Sequence, residues 1–187
     1  KKVATLAQLR RHSALAWSIL MTFQYKHVSS PLGRILIAAS NEGIKGLWFE
    51  NQKHHPDITC WQAVRSQRWL DQCASEIQSY FEGTLREFTS PLSTPWGTKF
   101  QQSVWQELLL IPFGETISYG ELAKRINKPQ AMRAVGAAIG KNPWSIVVPC
   151  HRIIGANGSL TGYAGGLERK TNLLHLEMES RCSSFPT

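Results

Sequence analysis

Of the 187 residues, the pair Cys150-His151, within Pro149-Cys150-His151-Arg152, has the makings of sulfur chemistry. A thiol beside an imidazole is the minimum equipment for nucleophilic attack, because the thiolate is the reactive form. A free cysteine, with a pKa of ~8.5, is little ionised at neutral pH, so a base at hand matters. The preceding Ile146-Val147-Val148 is β-branched and predicts a short buried strand that delivers the pair. On an extended backbone, adjacent side chains point to opposite faces. Contact between the two therefore requires a bend or a bridging water. Taken alone, the dipeptide reads more economically as a buried structural cysteine beside a surface histidine.

Metal chemistry finds less support. Cys60, Cys73, Cys150 and Cys182 contain no Cys-x-x-Cys pair, and His12, His27, His54, His55, His151 and His175 share no ligand spacing with them. No metal site is expected. Such cysteines, in a chain long enough to bury its own core, read as free thiols in a reducing cytoplasm.

The elements that must position the pair fall into two halves. From Phe23, alternating apolar residues flank Asn41-Glu42-Gly43 and predict a β-hairpin. Trp61, Val64, Trp69, Cys73, Ile77 and Tyr80 recur at helical spacing, which predicts a helix from Cys60 to Phe81 ended by Gly83. Prolines, glycines and hydroxyl residues around 90–98 mark a linker. Beyond it, Phe100, Val104, Leu108 and Ile111 line one helix. Ser118 and Glu121 offer a capping box to a second, and a third is expected from Gln130 to about Ile139. The last two form a helix-turn-helix. Gly136 and Gly140 in its second helix cost ~1 kcal/mol each relative to alanine. Either close helix packing explains them, or a smooth surface able to enter a narrow groove.

Charge singles out the same region. The chain carries a net +8, a balance that suits a polyanionic partner, nucleic acid or acidic membrane. Residues 1–27 contribute +5 with no acid at all. Residues 118–152 contribute another +5, from Lys124, Arg125, Lys128, Arg133, Lys141 and Arg152 against Glu121. The apolar stretch from Ala14 to Phe23 is interrupted by Ser18 and Thr22. It is too short to span a bilayer and lacks a convincing signal-cleavage site.

Four segments then occur in order at short spacing: ISYGELA, RAVGAAIGKNP, VPCHRIIG and GYAGGLERK. Together they resemble the 6-O-alkylguanine-DNA alkyltransferase family, over roughly residues 23–180, in a form similar to its bacterial members. The resemblance implies a cysteine that irreversibly accepts an alkyl group from guanine without a cofactor, and Cys150 matches it. It implies a histidine–water–cysteine relay at His151, with Glu177 as the acidic partner. Asn142 is implied to tie the turn between the recognition helix and the active-site strand. Arg133 is implied to fill the gap left by the flipped base, and Tyr119 to crowd the phosphate beside it. Tyr163 and Ala164 match the loop that closes over the base, and Gly136 lies on the DNA-facing helix. Some relatives carry Ser where this chain has Ala164, so without that hydroxyl donation to the leaving oxygen falls to Tyr163 or a backbone N–H.

The expected fold is α+β. An extension of uncertain role (1–22) precedes a small sheet-plus-helix domain (23–92). A mainly helical domain (93–180) then carries the helix-turn-helix and the thiol on a short strand, and a tail (181–187) follows. The expected partner is double-stranded DNA containing alkylated guanine, met by a cytoplasmic monomer without membrane attachment. A non-catalytic damage binder is disfavoured by Cys150. A sequence-reading regulator is disfavoured by a helix of Ala, Gly and Val, which offers few hydrogen bonds to base edges.

Overall fold

The computed structural model describes residues 23–93 and 97–182. The basic extension 1–22, the middle of the expected linker and the end of the tail lie outside the described residues. Apolar alternation in the first half produces β1 (Gln24–Val28), β2 (Ile35–Ser40), β3 (Gly43–Phe49) and the short β4 (Gln62–Ala63). They form one sheet in the order β3-β2-β1-β4, antiparallel except for β4 alongside β1. The β2–β3 hairpin closes where expected. Gly43 has φ 142°, and a Cβ there would stand 2.2 Å from the Pro91 carbonyl oxygen, so the linker can cross only a glycine.

β2 is buried on both faces. Ile35, Ile37 and Ala39 enter the main core, whereas Leu36 and Ala38 join Trp48 under Tyr25, Ile58 and Trp61. The helix expected from Cys60 begins only at Arg68. α1 (Arg68–Phe81) is capped by Gln67, whose side chain accepts from the amides of Trp69 and Leu70. Upstream, Gln62 and Ala63 pair with Gln24 and Tyr25 instead. Sheet pairing and the stacking of Trp61 against Phe23 and Trp48 override the helical spacing there.

The second half contains α2 (Lys99–Leu109), β5 (Ile117–Ser118), α3 (Tyr119–Arg125), α4 (Met132–Gly140), β6 (Ile153–Ile154) and α5 (Leu167–Cys182). Thr98 and Gln101 form a reciprocal capping box at α2. At α3 only half of the expected box exists. Ser118 accepts from the Glu121 amide, but the Glu121 carboxylate turns to Arg125 instead. α4 starts two residues later than expected, because Lys128 to Ala131 form a turn closed by the Ala131 amide on the Lys128 carbonyl. The described residues contain no helix long and apolar enough to cross a membrane.

One core spans both halves, from Ile35 on the sheet to Leu173 on α5. The join is also hydrogen-bonded. Leu47 on edge strand β3 donates to Pro143 O (2.8 Å) and accepts from the Ser145 amide (2.9 Å), while the Trp144 indole donates to Ile44 O (3.0 Å). The sheet edge is thus covered by the chain that leads directly to Cys150.

Candidate active site

The expected strand at Ile146–Val148 is absent. Two tight turns replace it, closed by the Val147 amide on Ser145 O and the Cys150 amide on Val148 O. Ile146 is buried at φ 71°, a left-handed conformation that costs a β-branched residue ~1–3 kcal/mol. β-Branching therefore served burial here rather than extension. The surroundings fix the conformation. The Asn142 amide nitrogen donates to Trp144 O (3.2 Å), Val148 O (2.9 Å) and Cys150 Sγ (3.2 Å), while its oxygen accepts from the Trp144 amide (3.0 Å).

The chain then turns through one 3₁₀ turn, Cys150–Arg152, before β6 pairs in parallel with β5. That turn removes the objection raised by an extended backbone, since Cys150, His151 and Arg152 are all drawn inward and buried. Cys150 is 3 % exposed. Burial pushes its thiol up, while the Asn142 amide, the Lys170 charge and the backbone amides of Cys150 and His151 pull it down. The Asn142 amide is thus the hydrogen-bond donor to Sγ, and the Lys170 charge and nearby backbone amides add to the field that favours a developing thiolate.

His151 Nε2 lies 2.7 Å from Glu177 Oε1. Burial holds the imidazole below its ordinary pKa against the pull of Glu177, so the ring is neutral at pH 7. With its proton on Nε2, toward the carboxylate, the lone pair sits on Nδ1. Nδ1 is buried with no partner among the described residues. The arrangement is a neutral imidazole oriented by a carboxylate.

Glu177 is wholly buried on α5. Burial would raise its carboxyl, but His151 and Arg152 hold it well below the usual carboxylate range. Arg152 binds it with both Nε (2.9 Å to Oε2) and Nη2 (2.9 Å to Oε1), and donates Nη1 to Ile111 O (2.6 Å). Two more donors complete the set: the Gly114 amide on Oε2 (2.9 Å) and the Tyr80 hydroxyl on Oε1 (2.8 Å).

Sequence reasoning gave Arg152, Tyr80 and Lys170 no role of their own. Arg152 counted toward the charge available to an outside polyanion. It is instead spent inside the molecule on Glu177, which leaves Lys124, Arg125, Lys128, Arg133 and Lys141 as the exposed bases of that stretch. Lys170 is fully buried, donates to the carbonyls of Ile153 and Thr161, and has its pKa lowered to about 8, mainly by burial. A signal was available: Lys170, Leu173, Leu174 and Glu177 follow an inner-face spacing with a charge at each end.

The loop residues lie beside the thiol. The Tyr163 hydroxyl is buried with no hydrogen-bond partner of good geometry among the described residues, although the Ser145 side chain is near enough to pull its pKa down against burial. Burial keeps this phenol well above its usual pKa, hence protonated and able to donate. Ala164 O accepts from the Lys53 amide of the N-terminal half (3.0 Å). Gly165 packs so close to the Tyr163 ring that a Cβ would stand 2.7 Å from it.

Tyr119 and Arg133 lie apart from this buried centre, on the outer helices. The Tyr119 hydroxyl donates to Thr161 O (3.1 Å), and Arg133 is exposed in the first turn of α4. A Cβ on Gly136 would meet only the Tyr119 ring, at 3.7 Å, and one on Gly140 would meet nothing within 4 Å. Packing among the described residues requires neither glycine. His/Cys/Asp/Glu clusters able to hold a metal are absent among the described residues.

Residues 23–94 match the ribonuclease-like domain of 6-O-methylguanine DNA methyltransferase, and residues 99–179 match its DNA binding domain. A methylated-DNA–protein-cysteine methyltransferase of Methanosarcina acetivorans is 47% identical over 154 residues, covering 82% of this chain and 97% of that protein. The inducible one of Bacillus subtilis is 46% identical over 172 residues, covering 91% and 93%. The crystal structure of Mycobacterium tuberculosis OGT in complex with DNA superposes with a TM-score of 0.78 at 43% identity, covering 84% of this chain and 94% of that one. The chain belongs to the 6-O-methylguanine DNA methyltransferase family.

Proposed function

We propose that the chain repairs alkylated duplex DNA by moving one alkyl group per molecule to Cys150 Sγ. The donor is the 6-oxygen of guanine and, less readily, the 4-oxygen of thymine. The observation that carries this reading is a buried thiol held by the Asn142 amide, next in the chain to a neutral histidine that is bound through Nε2 to Glu177. As the S–C bond forms, the C–O bond breaks. The thiol proton passes by way of a water to His151 Nδ1, and the released electron pair stays on the purine. Tyr163 or a backbone N–H donates to that leaving oxygen, and the proton balance closes on the repaired base. No cofactor enters the balance. The product is a stable thioether, so each molecule acts once.

The target atom lies inside the duplex, so the nucleotide must rotate out first, at a cost of a few kcal/mol. Arg133, exposed on α4, fills the vacated stack. Tyr119 exchanges its carbonyl partner for the phosphate beside the target. The exposed bases of α3 and α4 face the phosphate backbone. A reducing cytoplasm suits the acceptor, which must remain an unoxidised thiol.

Incubation with DNA carrying a radiolabelled methyl group on the guanine 6-oxygen tests the proposal. Wild type takes up one label per molecule, and Cys150→Ala takes up none. Equal labelling of the two, or no labelling of either, overturns it.

A further inference from the structure

The catalytic centre is not confined to the C-terminal half. Tyr80, on α1 of the N-terminal half, is completely buried and donates to Glu177 Oε1 at 2.8 Å across 97 residues of sequence. This is the same oxygen that faces His151 Nε2 at 2.7 Å and accepts from Arg152 Nη2 at 2.9 Å. Packing fixes the ring: Phe81, Phe88 and Phe113 surround it at centroid distances of 5.5, 5.6 and 6.1 Å. A tyrosine needed only for packing would not require its hydroxyl on a buried carboxylate already held twice by arginine.

We infer that Tyr80 is a positioning residue for alkyl transfer, setting through Glu177 how strongly His151 holds a proton. The inference rests on the role proposed above for His151. A donor on Oε1 draws off part of the charge that would otherwise stabilise an imidazolium, and so keeps the ring available as a base. Other groups act on the same centre: Arg152 on both carboxylate oxygens, the Gly114 amide on Oε2, the buried Lys170 charge on His151 and Cys150, and the neutral Tyr163 phenol beside Cys150. Arg152 and Lys170 also disfavour imidazolium. Tyr80 alone among them comes from the N-terminal half, which thereby contributes to the chemistry as well as to the fold.

The test is Tyr80→Phe in the full chain, followed by single-turnover methyl transfer from methylated duplex across pH. The amplitude counts correctly folded molecules, and the rate constant reports chemistry. Loss of the donor makes Glu177 pull harder on imidazolium, so the acid limb of the rate profile moves to higher pH. The rate constant is expected to fall about three- to tenfold on the acid limb and to approach wild type on the alkaline side. Phe88→Leu disturbs the ring packing without touching the hydroxyl, and should lower thermal stability while leaving the acid limb in place. A Tyr80→Phe profile superimposable on wild type, or an equal shift in Phe88→Leu, overturns the inference. Either result leaves methyl transfer by wild type intact. Absence of transfer by wild type itself would instead overturn the proposed function.

Discussion

Around Glu177, five hydrogen bonds converge on two buried oxygens, from His151, Tyr80, the Gly114 amide and both arms of Arg152. The outer face of α3 and α4 is built on opposite terms. Lys124 on α3, Lys128 in the turn that follows, Arg133 on α4 and Lys141 at its end are exposed, without acidic partners among the described residues. Burial strengthens every electrostatic interaction at the first site and makes each one costly to lose. Exposure leaves the second site screened and nearly indifferent to fold stability. On the proposed function, chemistry is held by over-determined contacts and DNA contact is left to exposed groups that the fold does not use.

The largest expected effect breaks the buried side of the comparison. Glu177→Gln leaves Arg152 buried without a counter-charge and should lower stability by about 3–5 kcal/mol, read as a shift in denaturant midpoint. Wild-type stability follows the same group in acid. Its folded carboxyl lies below the unfolded value of ~4.3, so its contribution is complete above that pH and is lost as pH falls toward the folded value. Between pH 5 and 2 the variant should therefore lose less stability than wild type. Equal acid sensitivity would mean that Glu177 does not carry this linkage.

Arg133→Ala probes the exposed side, with an intermediate effect. Stability should stay within about 0.5 kcal/mol of wild type, because the side chain is exposed in the first turn of α4. Transfer from duplex DNA should slow by about tenfold or more, since nothing fills the space of the rotated base. Transfer from a free alkylguanine base should be unchanged. Equal losses on the two substrates would assign Arg133 to the pocket or the fold and erase the division of labour between the two regions.

The division also governs what the sequence disclosed. Local signals carried far: the β2–β3 hairpin, the Ser118 cap and the spacing of Phe100, Val104 and Leu108 along α2 depend on neighbours a few residues away. The exposed bases were legible because charge clustering is itself a sequence property. The tight turns at Ser145–Cys150 were not, since β-branching favours a strand and only the Asn142 side chain and the edge of β3 impose φ 71° on Ile146. Likewise Trp61 and Val64 kept helical spacing while pairing and stacking claimed that segment for the sheet. Tyr80 counted toward a helix face because its partner lies 97 residues away. Arg152 counted as surface charge for the same reason. Composition gives no hint that a base will be consumed inside.

The smallest effect sharpens the comparison at one methyl group. Gly136 sits within α4, where glycine costs about 1 kcal/mol relative to alanine. A Cβ would rest 3.7 Å from Cε1 of Tyr119, an ordinary contact that requires no movement. Gly136→Ala should therefore raise stability by about 0.5–1 kcal/mol, measured as an increase in denaturant midpoint. If Gly136 serves the DNA face, as the proposed function has it, the missing methyl leaves room for an approaching strand, since no crowding among the described residues calls for it. The same variant should then transfer more slowly from duplex DNA and at the wild-type rate from a free base. Destabilisation would show that the helix packs more tightly than its contacts indicate. Stabilisation with unchanged duplex transfer would remove Gly136 from the DNA face and leave Arg133 and Tyr119 to define it.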